Sequence, residues 1–263
     1  MSVLDRILEK TRDTITRDRH RRSAADWLST DAAAMPCRGF VASLAAATPI
    51  GLIAEIKRAS PSAGLIRDDF DPSGLAKQYR DGGATCLSVL TDEPFFQGSL
   101  DFIADVRATV DLPVLRKDFL IDPYQIDQAR GIGADCVLLI AECLPGSSLA
   151  ERYDQATRLG MDVLIELYDQ ENLDRVLQTG CPLVGVNNRN LRTFQTDLSH
   201  TVTIGAQIPD DRILVGESGI HTHDDVQRLM AGGARAILVG ESLMRESDVA
   251  SATRRLLHGG DSA

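Results

Sequence analysis

The chain has 263 residues, of which 43% are hydrophobic and 25% are charged, and its formal net charge is -10. This composition is typical of a globular protein, and the excess of acidic residues argues against a surface built mainly for nucleic acid or for an anionic membrane. A charge, Pro or Gly breaks every apolar run before it reaches about twenty residues, so the sequence predicts no membrane span.

The N-terminal segment predicts a helical extension. Residues 3–16 carry a stripe of side chains at the spacing of one helix face, which needs a partner to pack on. The members of this stripe are Val3, Leu4, Ile7, Leu8, Thr11 and Ile15. Residues 17–50 are first basic and then rich in alanine, and the N-terminus lacks the apolar region of a signal peptide. We interpret residues 1–50 as an extension packed on residues 51–263 within one domain.

From residue 51 onward, eight short apolar runs alternate with helical segments and are predicted to be strands. The runs are 51–57, 86–90, 113–117, 135–140, 161–166, 183–187, 212–216 and 235–239. Three of them follow a helix end marked by glycine and then an alanine, at Ala84, Ala134 and Ala234. These alanines are spaced by 50 and then 100 residues, which is two and four units of about 25, roughly one strand-helix repeat.

Eight such repeats with right-handed crossovers predict a (β/α)8 barrel, also called a TIM barrel. The alternative fold is an open doubly wound sheet. Its first turn would carry a GxGxxG motif after the strand, and this sequence has none there.

The first predicted strand, 51–57, ends a buried run with two charges. Side chains two positions apart share a face of a strand, so Glu55 and Lys57 point the same way as Ile53. Both faces are apolar at the start of the run, which is typical of a parallel sheet covered on both sides. Burial of an unpaired ion costs several kcal/mol. Glu55 and Lys57 therefore predict a functional site, with an ion pair at the rim of the fold as the alternative.

Polar side chains also end four later strands. They are Lys117, Glu166, Asn187 and Glu217. The residue two positions earlier is apolar or glycine, so each polar side chain is expected to point inward above a filled layer. The carboxyl ends of barrel strands meet at one mouth, where active sites lie. We predict that three carboxylates and two ammoniums converge there and shift each other's pKa values.

The last two strands are followed by small residues at predicted helix starts. The segments Gly216-Glu-Ser-Gly219 and Gly240-Glu-Ser242 offer free backbone N–H groups, the usual phosphate site of these barrels. Arg189, after the sixth strand, can add a charge-assisted contact. A plain helix start is the alternative for each glycine segment.

Aromatic residues cluster after the second and third strands. Phe95, Phe96 and Phe119 predict walls for a flat apolar ligand, and core packing against neighbouring helices is the alternative. His221 and His223 lie at the expected start of the seventh helix. Because no third ligand is nearby in the sequence, we interpret them as solvated or capping residues and predict no metal site.

The cysteines are odd in number and lack a CxxC pair. They are Cys37, Cys86, Cys136, Cys143 and Cys181. Most lie in or beside apolar runs, so they are interpreted as reduced core residues of a cytoplasmic protein.

Taken in order, these residues resemble the indole-3-glycerol phosphate synthase family of tryptophan biosynthesis. The matching motifs are Ala54-Glu-Ile-Lys-Arg-Ala-Ser-Pro-Ser62, Leu115-Arg-Lys-Asp-Phe119, the strand of Glu166, Gly185-Val-Asn-Asn-Arg-Asn-Leu191, Glu217-Ser-Gly-Ile220 and Val239-Gly-Glu-Ser-Leu-Met244. The first motif is highly specific. The resemblance covers essentially the whole chain, including the N-terminal extension that the family lays over its active site. One departure is Ala63, where many members carry Lys in a mobile loop, and it bears on loop closure and turnover rate.

The resemblance implies a carboxy-lyase that needs no cofactor. Its substrate would be 1-(2-carboxyphenylamino)-1-deoxyribulose 5-phosphate, which closes to indole-3-glycerol phosphate with loss of carbon dioxide and water. Lys117 would protonate the ketone oxygen, and Glu55 and Glu217 would stabilise the iminium-like ring. Glu166 would take the ring proton during dehydration. Either Lys57 or Lys117 would protonate the leaving hydroxyl.

The resemblance also implies how the substrate is held. Asn187 would position a substrate hydroxyl. The implied phosphate contacts are Lys57, Ser60, Arg189, Ser218, Gly219, Gly240 and Glu241. The implied contacts of the aromatic ring are Phe96, Phe119, Leu138 and Leu191. We expect a monomer with a phosphorylated small-molecule substrate and no nucleic-acid, membrane or metal partner.

Two other hypotheses are compatible with such a barrel. The first is phosphoribosylanthranilate isomerase, which would be expected to pair a Cys with an Asp at strand ends, whereas the first strand here offers Glu55 and Lys57. The second is a non-catalytic module that binds a phosphorylated ligand and uses the N-terminal helix as a docking element.

Overall fold

A computed structural model of the chain describes residues 3–190 and 195–260. The strands in these ranges are β1 (Gly51–Ile56), β2 (Ala59–Ser60), β3 (Gly64–Leu65), β4 (Cys86–Leu90), β5 (Val114–Lys117), β6 (Cys136–Ile140), β7 (Asp162–Leu167), β8 (Leu183–Asn187), β9 (Ile213–Glu217) and β10 (Ala236–Val239). Each of the eight predicted strands is found, with ends within about one residue of the prediction, because the alternation of side chains that marks a strand is a local property.

The α-helices lie before and between these strands. They are α1 (Val3–Arg21), α2 (Ala24–Leu28), α3 (Asp31–Ala34), α4 (Phe40–Ala46), α5 (Pro72–Asp81), α6 (Glu93–Phe96), α7 (Asp101–Thr109), α8 (Pro123–Gly131), α9 (Ser148–Arg158), α10 (Leu173–Gln178), α11 (Ser199–Gly205), α12 (His223–Ala231), α13 (Glu241–Met244) and α14 (Val249–His258). Short 3-10 turns at Ala141–Cys143 and Gln170–Asn172 follow β6 and β7.

Eight parallel strands close on themselves in the order β1-β10-β9-β8-β7-β6-β5-β4. The closing pair is β1 with β4, in which Ile53 lies opposite Cys86. The predicted (β/α)8 barrel is therefore confirmed, and the open sheet is excluded. The remaining strands, β2 and β3, form a small antiparallel hairpin directly after β1, which the sequence analysis did not predict.

The two faces of β1 lie in different cores, as its alternation predicts. Ile53 belongs to the cluster that fills the barrel, together with Leu115 and Leu164. Leu52 and Ala54 belong to the larger cluster between the barrel and its helices. A strand buried on both faces therefore carries charge only where it leaves the packed layers.

The N-terminal extension contacts both ends of the barrel. Helix α1 buries Ile7 and Ile15, and it is five residues longer than the predicted 3–16 because arginines favour continuation of the helix. Phe40 and Leu44 of α4 are almost fully buried and belong to the cluster inside the barrel. The division of the chain at residue 50 stays a prediction.

A buried ion pair anchors this extension at the amino-terminal end of the barrel. The Asp135 carboxylate contacts the Arg107 guanidinium and accepts the backbone N–H groups of Arg38 at 2.9 Å and Val114 at 2.8 Å. The Arg38 guanidinium in turn donates to backbone carbonyls, including that of Val110 at 2.7 Å. The extension is thus hydrogen-bonded to the base of the barrel.

Candidate active site

The carboxyl ends of the eight barrel strands surround one cavity at the mouth, and five of these strands supply its predicted polar residues. The predicted polar residues that line it are Glu55, Lys57, Lys117, Glu166, Asn187 and Glu217. They converge because each belongs to the end of its strand or directly follows it, above a layer of apolar side chains such as Ile53, Leu115 and Leu164. The sequence-based prediction that these six residues meet at one mouth is confirmed.

Lys117 lies between two carboxylates. Its ammonium nitrogen is 2.8 Å from Glu166 Oε2 and 2.9 Å from Glu217 Oε2. The Glu166 and Glu217 side chains are 5% and 2% exposed, and that of Lys117 is 14% exposed. The three charges therefore interact through protein more than through water, which strengthens each interaction.

Burial and proximity shift the pKa values of this triad in different directions. Burial, together with the neighbouring Glu166 carboxylate, raises the pKa of Glu217 to about 8. Burial alone would also raise the pKa of Glu166, but the Lys117 ammonium and the Asn187 amide outweigh it and hold that pKa below its ordinary value. Burial would lower the pKa of Lys117, yet the facing carboxylates raise it above its usual range. The site thus holds one ionised and one readily protonated carboxyl beside a charged ammonium.

Two glycines leave room for the buried carboxylates. A Cβ at Gly185 would lie 2.2 Å from Glu217 Oε1, and a Cβ at Gly240 would lie 2.3 Å from Glu55 Oε1. Contacts that short do not occur, so any side chain at either position would displace a carboxylate from the mouth. The sequence analysis noted Gly185 as an unfilled inward position and Gly240 as a helix start, and it missed this role for both.

Lys57 and Glu55 form a second ion pair in the same cavity. Both side chains are largely buried, at 14% and 6% exposed. The backbone carbonyl of Glu55 accepts a hydrogen bond from the buried Tyr79 hydroxyl at 3.1 Å, which holds the end of β1 in place. The pair faces the cavity and is not a rim contact with solvent.

Asn187 connects the carboxylates to the next loop. Its amide nitrogen donates to Glu166 Oε1 at 3.0 Å, and its amide oxygen accepts the backbone N–H of Arg189 at 3.0 Å. Because both ends of the amide are engaged, its orientation is determined by its neighbours. Asn187 therefore orients Glu166 as well as facing the cavity.

The turns after β9 and β10 line the opposite side of the cavity. We call Ser218, Gly219, Gly240 and Glu241 the phosphate cradle, since these predicted phosphate contacts all line the cavity. Ser218 and Gly219 both have positive φ, at 66° and 76°. The Glu241 carboxylate accepts hydrogen bonds from Arg245 at 2.8 and 3.2 Å, which leaves the backbone of Glu241 as its contribution to the cradle.

Two further predicted phosphate contacts flank the cradle. Arg189 lines the cavity and lies 4.0 Å from Glu241 Oε2 through its Nη2. Ser60, in the β2–β3 hairpin, lines the cavity from the β1 side, and its hydroxyl accepts the backbone N–H of Ala63 at 3.1 Å. The hairpin thus brings the first loop to the edge of the site.

Apolar side chains form the remaining wall. The Phe96 and Phe119 rings lie with centroids 6.3 Å apart, and both line the cavity, as does Leu138. Phe95 does not line the cavity, so two of the three aromatic residues predicted to form this wall, Phe96 and Phe119, do so. Leu191 lies outside the described residues.

Several apolar residues that line the cavity were not predicted from the sequence. They are Val3, Leu4, Ile7, Leu90, Ile140 and Leu238. The first three come from α1, whose stripe was visible in the sequence although its packing partner was not. Leu90, Ile140 and Leu238 lie at strand ends, and that position could have identified them. They were not selected because their side chains are apolar and only polar strand-end residues were considered.

The histidines at the start of α12 have separate surroundings. His223 Nδ1 lies 2.9 Å from the Leu256 carbonyl, while His221 lines the cavity. The helix is capped by Thr222, whose hydroxyl accepts the Asp225 N–H at 3.2 Å. Over residues 3–190 and 195–260, no group of three His, Cys, Asp or Glu residues is arranged to hold a metal ion. All five cysteines are free.

Comparison with protein families gives one match over nearly the whole chain. The model of the family described as indole-3-glycerol phosphate synthase matches residues 4–256. A protein of that name from Rhodopirellula baltica is 60% identical over 257 residues, covering 98% of this chain and 99% of the relative. One of the same name from Azospirillum brasilense is 51% identical over 258 residues, covering 97% of this chain and 98% of the relative.

Solved structures of other proteins share the fold. A 3-hexulose-6-phosphate synthase is 16% identical with a TM-score of 0.61, covering 79% of this chain and 98% of that one. A thiamine phosphate pyrophosphorylase from Pyrococcus furiosus is 17% identical with a TM-score of 0.60, covering 79% and 93%. At 16–17% identity, this similarity shows a shared barrel fold and no more.

Proposed function

This chain belongs to the indole-3-glycerol phosphate synthase family, and from that premise we propose which of its residues carry each step of the reaction. The enzyme is a carboxy-lyase of tryptophan biosynthesis. It converts 1-(2-carboxyphenylamino)-1-deoxyribulose 5-phosphate to indole-3-glycerol phosphate, carbon dioxide and water. The family match replaces the two other hypotheses, the isomerase and the non-catalytic binding module.

The first step joins the ring carbon that bears the carboxylate to the ketone carbon. The ketone oxygen gains a proton as the new bond forms, and we assign that proton to the Lys117 ammonium. Ring closure leaves a cationic, iminium-like ring, which draws the electrons of the carbon–carboxylate bond and so releases carbon dioxide. Glu55 and Glu217 face the cavity in which this cation would form. The Glu55 carboxylate, paired with Lys57, would stabilise it as a preformed negative charge, and Glu217, whose pKa is about 8, would add to this effect when it ionises.

The second step removes water. The hydroxyl formed from the ketone leaves with a proton, and a proton is taken from the neighbouring ring carbon to complete the indole. We assign the base to Glu166, because its lowered pKa keeps it ionised. We assign the acid to Lys57, since Lys117 gives its proton to the ketone oxygen in the first step. Glu166 can pass the ring proton to Lys117, 2.8 Å away, and Lys57 regains its proton from solvent.

The cradle and the apolar wall would hold the two ends of the substrate. The phosphate would bind Arg189, Ser60 and Lys57 together with the cradle, where backbone N–H groups at turns and helix starts favour an anion. The aromatic ring would lie near Phe96, Phe119 and Leu138, and Leu191 is proposed for the same pocket. Asn187 would position a substrate hydroxyl. Substrate held at both ends places its reacting atoms beside Lys117, which lowers the entropic part of the barrier.

The observation that carries this assignment is the position of Lys117, held by two buried carboxylates opposite an anion cradle. The test is to incubate the protein with the anthranilate-derived ribulose phosphate and follow indole fluorescence, with and without a chelator. We expect signal in both arms. Loss of signal in the chelated arm alone would overturn the proposal that the residues act without a metal, and loss of signal in Lys117→Met but not in a surface variant supports the assigned acid.

We also propose that the enzyme acts as a monomer in the cytoplasm. Its own α1 supplies Val3, Leu4 and Ile7 to the cavity, so the described site needs no second subunit to complete it. The free state of all five cysteines is typical of a reducing compartment. None of the helices in the described ranges combines the length and apolar character needed to span a bilayer. Sedimentation at assay concentration tests the monomer, and a dimer at that concentration would contradict it.

A further inference from the structure

Asn188, the neighbour of Asn187, is buried behind the active site. Because it follows Asn187 in the chain, its side chain faces away from the cavity, and it is 2% exposed. Its amide oxygen accepts hydrogen bonds from the backbone N–H of Thr201 at 3.0 Å and from the Thr201 hydroxyl at 2.8 Å. Thr201 is fully buried in α11. One end of the Asn188 amide is therefore held by two donors.

The other end of that amide reaches the phosphate cradle. The amide nitrogen of Asn188 donates to the backbone carbonyl of Ser218 at 3.2 Å, and the backbone N–H of Asn188 donates to the Glu217 carbonyl at 2.8 Å. Asn188 is thus bonded to two consecutive carbonyl groups of the turn that follows β9. Since its oxygen is occupied by Thr201, its orientation is determined, and the nitrogen must point at Ser218.

Ser218 has a backbone conformation that needs such support. Its φ is 66°, in the left-handed region that residues with a Cβ adopt at a cost. Gly219 follows with φ 76°, and a Cβ there would lie 2.2 Å from Thr196 Cγ2. The turn is therefore closely packed at Gly219 and strained at Ser218. Strained residues persist where the surroundings determine them and cluster at functional sites.

We propose that Asn188 is a positioning residue that holds Ser218 in the left-handed conformation and thereby aims the backbone N–H groups of the turn at the substrate phosphate. The inference rests on the proposed assignment of Ser218 and Gly219 to the phosphate cradle. Asn188 does not touch the substrate. It acts through the Ser218 carbonyl, because fixing that carbonyl fixes the peptide plane it shares with the N–H of Gly219.

A double-mutant cycle between Asn188 and Ser218 tests this role. The variants are Asn188→Ala, Ser218→Gly and their combination, and the readouts are the substrate KM and the inhibition constant of inorganic phosphate. We expect Asn188→Ala to raise both constants about 5- to 30-fold, which corresponds to the cost of the left-handed conformation, with a smaller change in kcat. Glycine adopts positive φ freely, so in the Ser218→Gly background the same substitution should change them by about twofold or less. An equal fold-change in both backgrounds would overturn the proposal.

Thr201→Val is the matched control. It removes one hydrogen bond from the same buried network but leaves the donation from Asn188 to Ser218 in place. We expect a lower thermal midpoint with KM and phosphate inhibition within about twofold of the parent, as is usual when one partner of a buried hydrogen bond is lost away from a site. A rise equal to that of Asn188→Ala would mean general loosening and would overturn the specific role.

Asn188→Asp serves if Asn188→Ala fails to fold. The aspartate keeps the acceptor for Thr201 but has no donor for the Ser218 carbonyl. Its negative charge also repels that carbonyl and the phosphate, and this repulsion persists in the Ser218→Gly background. Only the part of the change in KM and phosphate inhibition that disappears in that background therefore supports the role of Asn188. Gly219→Ala separates this proposal from its premise, because a Cβ there would lie 2.2 Å from Thr196 Cγ2 and would disturb the turn itself. Unchanged phosphate inhibition in Gly219→Ala would remove the cradle assignment, whereas a raised constant there with an unchanged constant in Asn188→Ala would overturn the role of Asn188 alone.

Discussion

Two clusters of buried charge lie at opposite ends of the same barrel and differ in how completely they are bonded. At the amino-terminal end, both oxygens of Asp135 are engaged, one by Arg38 and Arg107 and the other by Val114. At the carboxyl-terminal end, Lys117 bridges two carboxylates, and Glu217 Oε1 has no hydrogen-bond donor among the described residues. Both carboxylate oxygens of the first cluster have donors, whereas one carboxylate oxygen of the second has none in the described part of the chain.

We infer that this difference separates a structural ion pair from the proposed catalytic one. A buried carboxylate whose oxygens all have donors is stabilised in one protonation state and one geometry. A cluster with more carboxylates than donors can move a proton, because its acids compete for a limited number of positive charges. Glu217 shows the effect, since burial and the nearby Glu166 raise its pKa to about 8. Substitutions at the two ends of the barrel should therefore affect different properties of the protein.

Lys117→Met should give the largest effect. It removes the proposed acid, so kcat should fall by about 10²–10⁴-fold, as is typical of a lost acid or base, while the circular dichroism spectrum stays that of the parent. Lys77→Met is the matched control, because Lys77 is exposed on α5 and its variant should keep the parental rate. A near-normal rate in Lys117→Met would remove this lysine from the mechanism.

Glu166→Gln should give a loss of similar size, since glutamine cannot accept the ring proton. We expect about 10²–10⁴-fold lower kcat with substrate binding retained, measured by steady-state kinetics and by single-turnover fluorescence. Glu171→Gln, an exposed position after β7, is the control. Steady-state constants in Glu166→Gln equal to those of the parent would contradict the base assignment.

Asp135→Asn tests the other end of the barrel. It leaves the largely buried Arg107 without its counter-charge, so the free energy of unfolding should fall by about 3–5 kcal/mol, measured by urea denaturation. The kcat of the folded enzyme should not change, because the substitution is at the opposite end from the substrate. Asp111 is exposed near the same end, so Asp111→Asn should have little effect on the free energy of unfolding or on kcat. A lower kcat in Asp135→Asn with an unchanged free energy of unfolding would contradict the proposed difference between the two clusters.

Glu217→Gln should give the smallest effect on stability, with a distinctive pH dependence. The folded state keeps the Glu217 proton up to about pH 8, whereas the unfolded chain releases it near pH ~4.3. The favourable contribution of the protonated Glu217 to the free energy of unfolding is therefore complete below about pH 4.3. It is lost as the pH rises through the folded pKa of about 8. Glutamine never ionises, so above pH 8 the variant should be the more stable protein by at least ~1 kcal/mol, since one pKa unit is about 1.4 kcal/mol.

Chemical denaturation of parent and Glu217→Gln across this pH range measures the difference. Curves that run parallel at all pH values would show that Glu217 is ionised throughout, and the carboxyl-terminal cluster would then resemble the one at Asp135.

Much of the site was predictable because its signal is local. Glu55 and Lys57 stand out as charges at the end of an apolar run, and a parallel barrel places all such ends at one mouth. The closure of α1 over that mouth was implied only by the family resemblance, because the stripe containing Ile7 does not by itself say what it packs on. The space that Gly185 provides for Glu217 was also missed, since these residues are 32 positions apart in the chain.

The eight strands, the inward and outward faces of each, and the polar residues at their ends follow from local sequence patterns, because a period of two and a glycine at a helix end are properties of neighbouring residues. The contacts of Lys117 with Glu166 and Glu217, which lie 49 and 100 residues away, and the hydrogen bond from Asn188 to Ser218 follow only from the three-dimensional fold. Those contacts depend on barrel closure, which determines the distances between groups that the chain keeps far apart, and hence which of them share a proton.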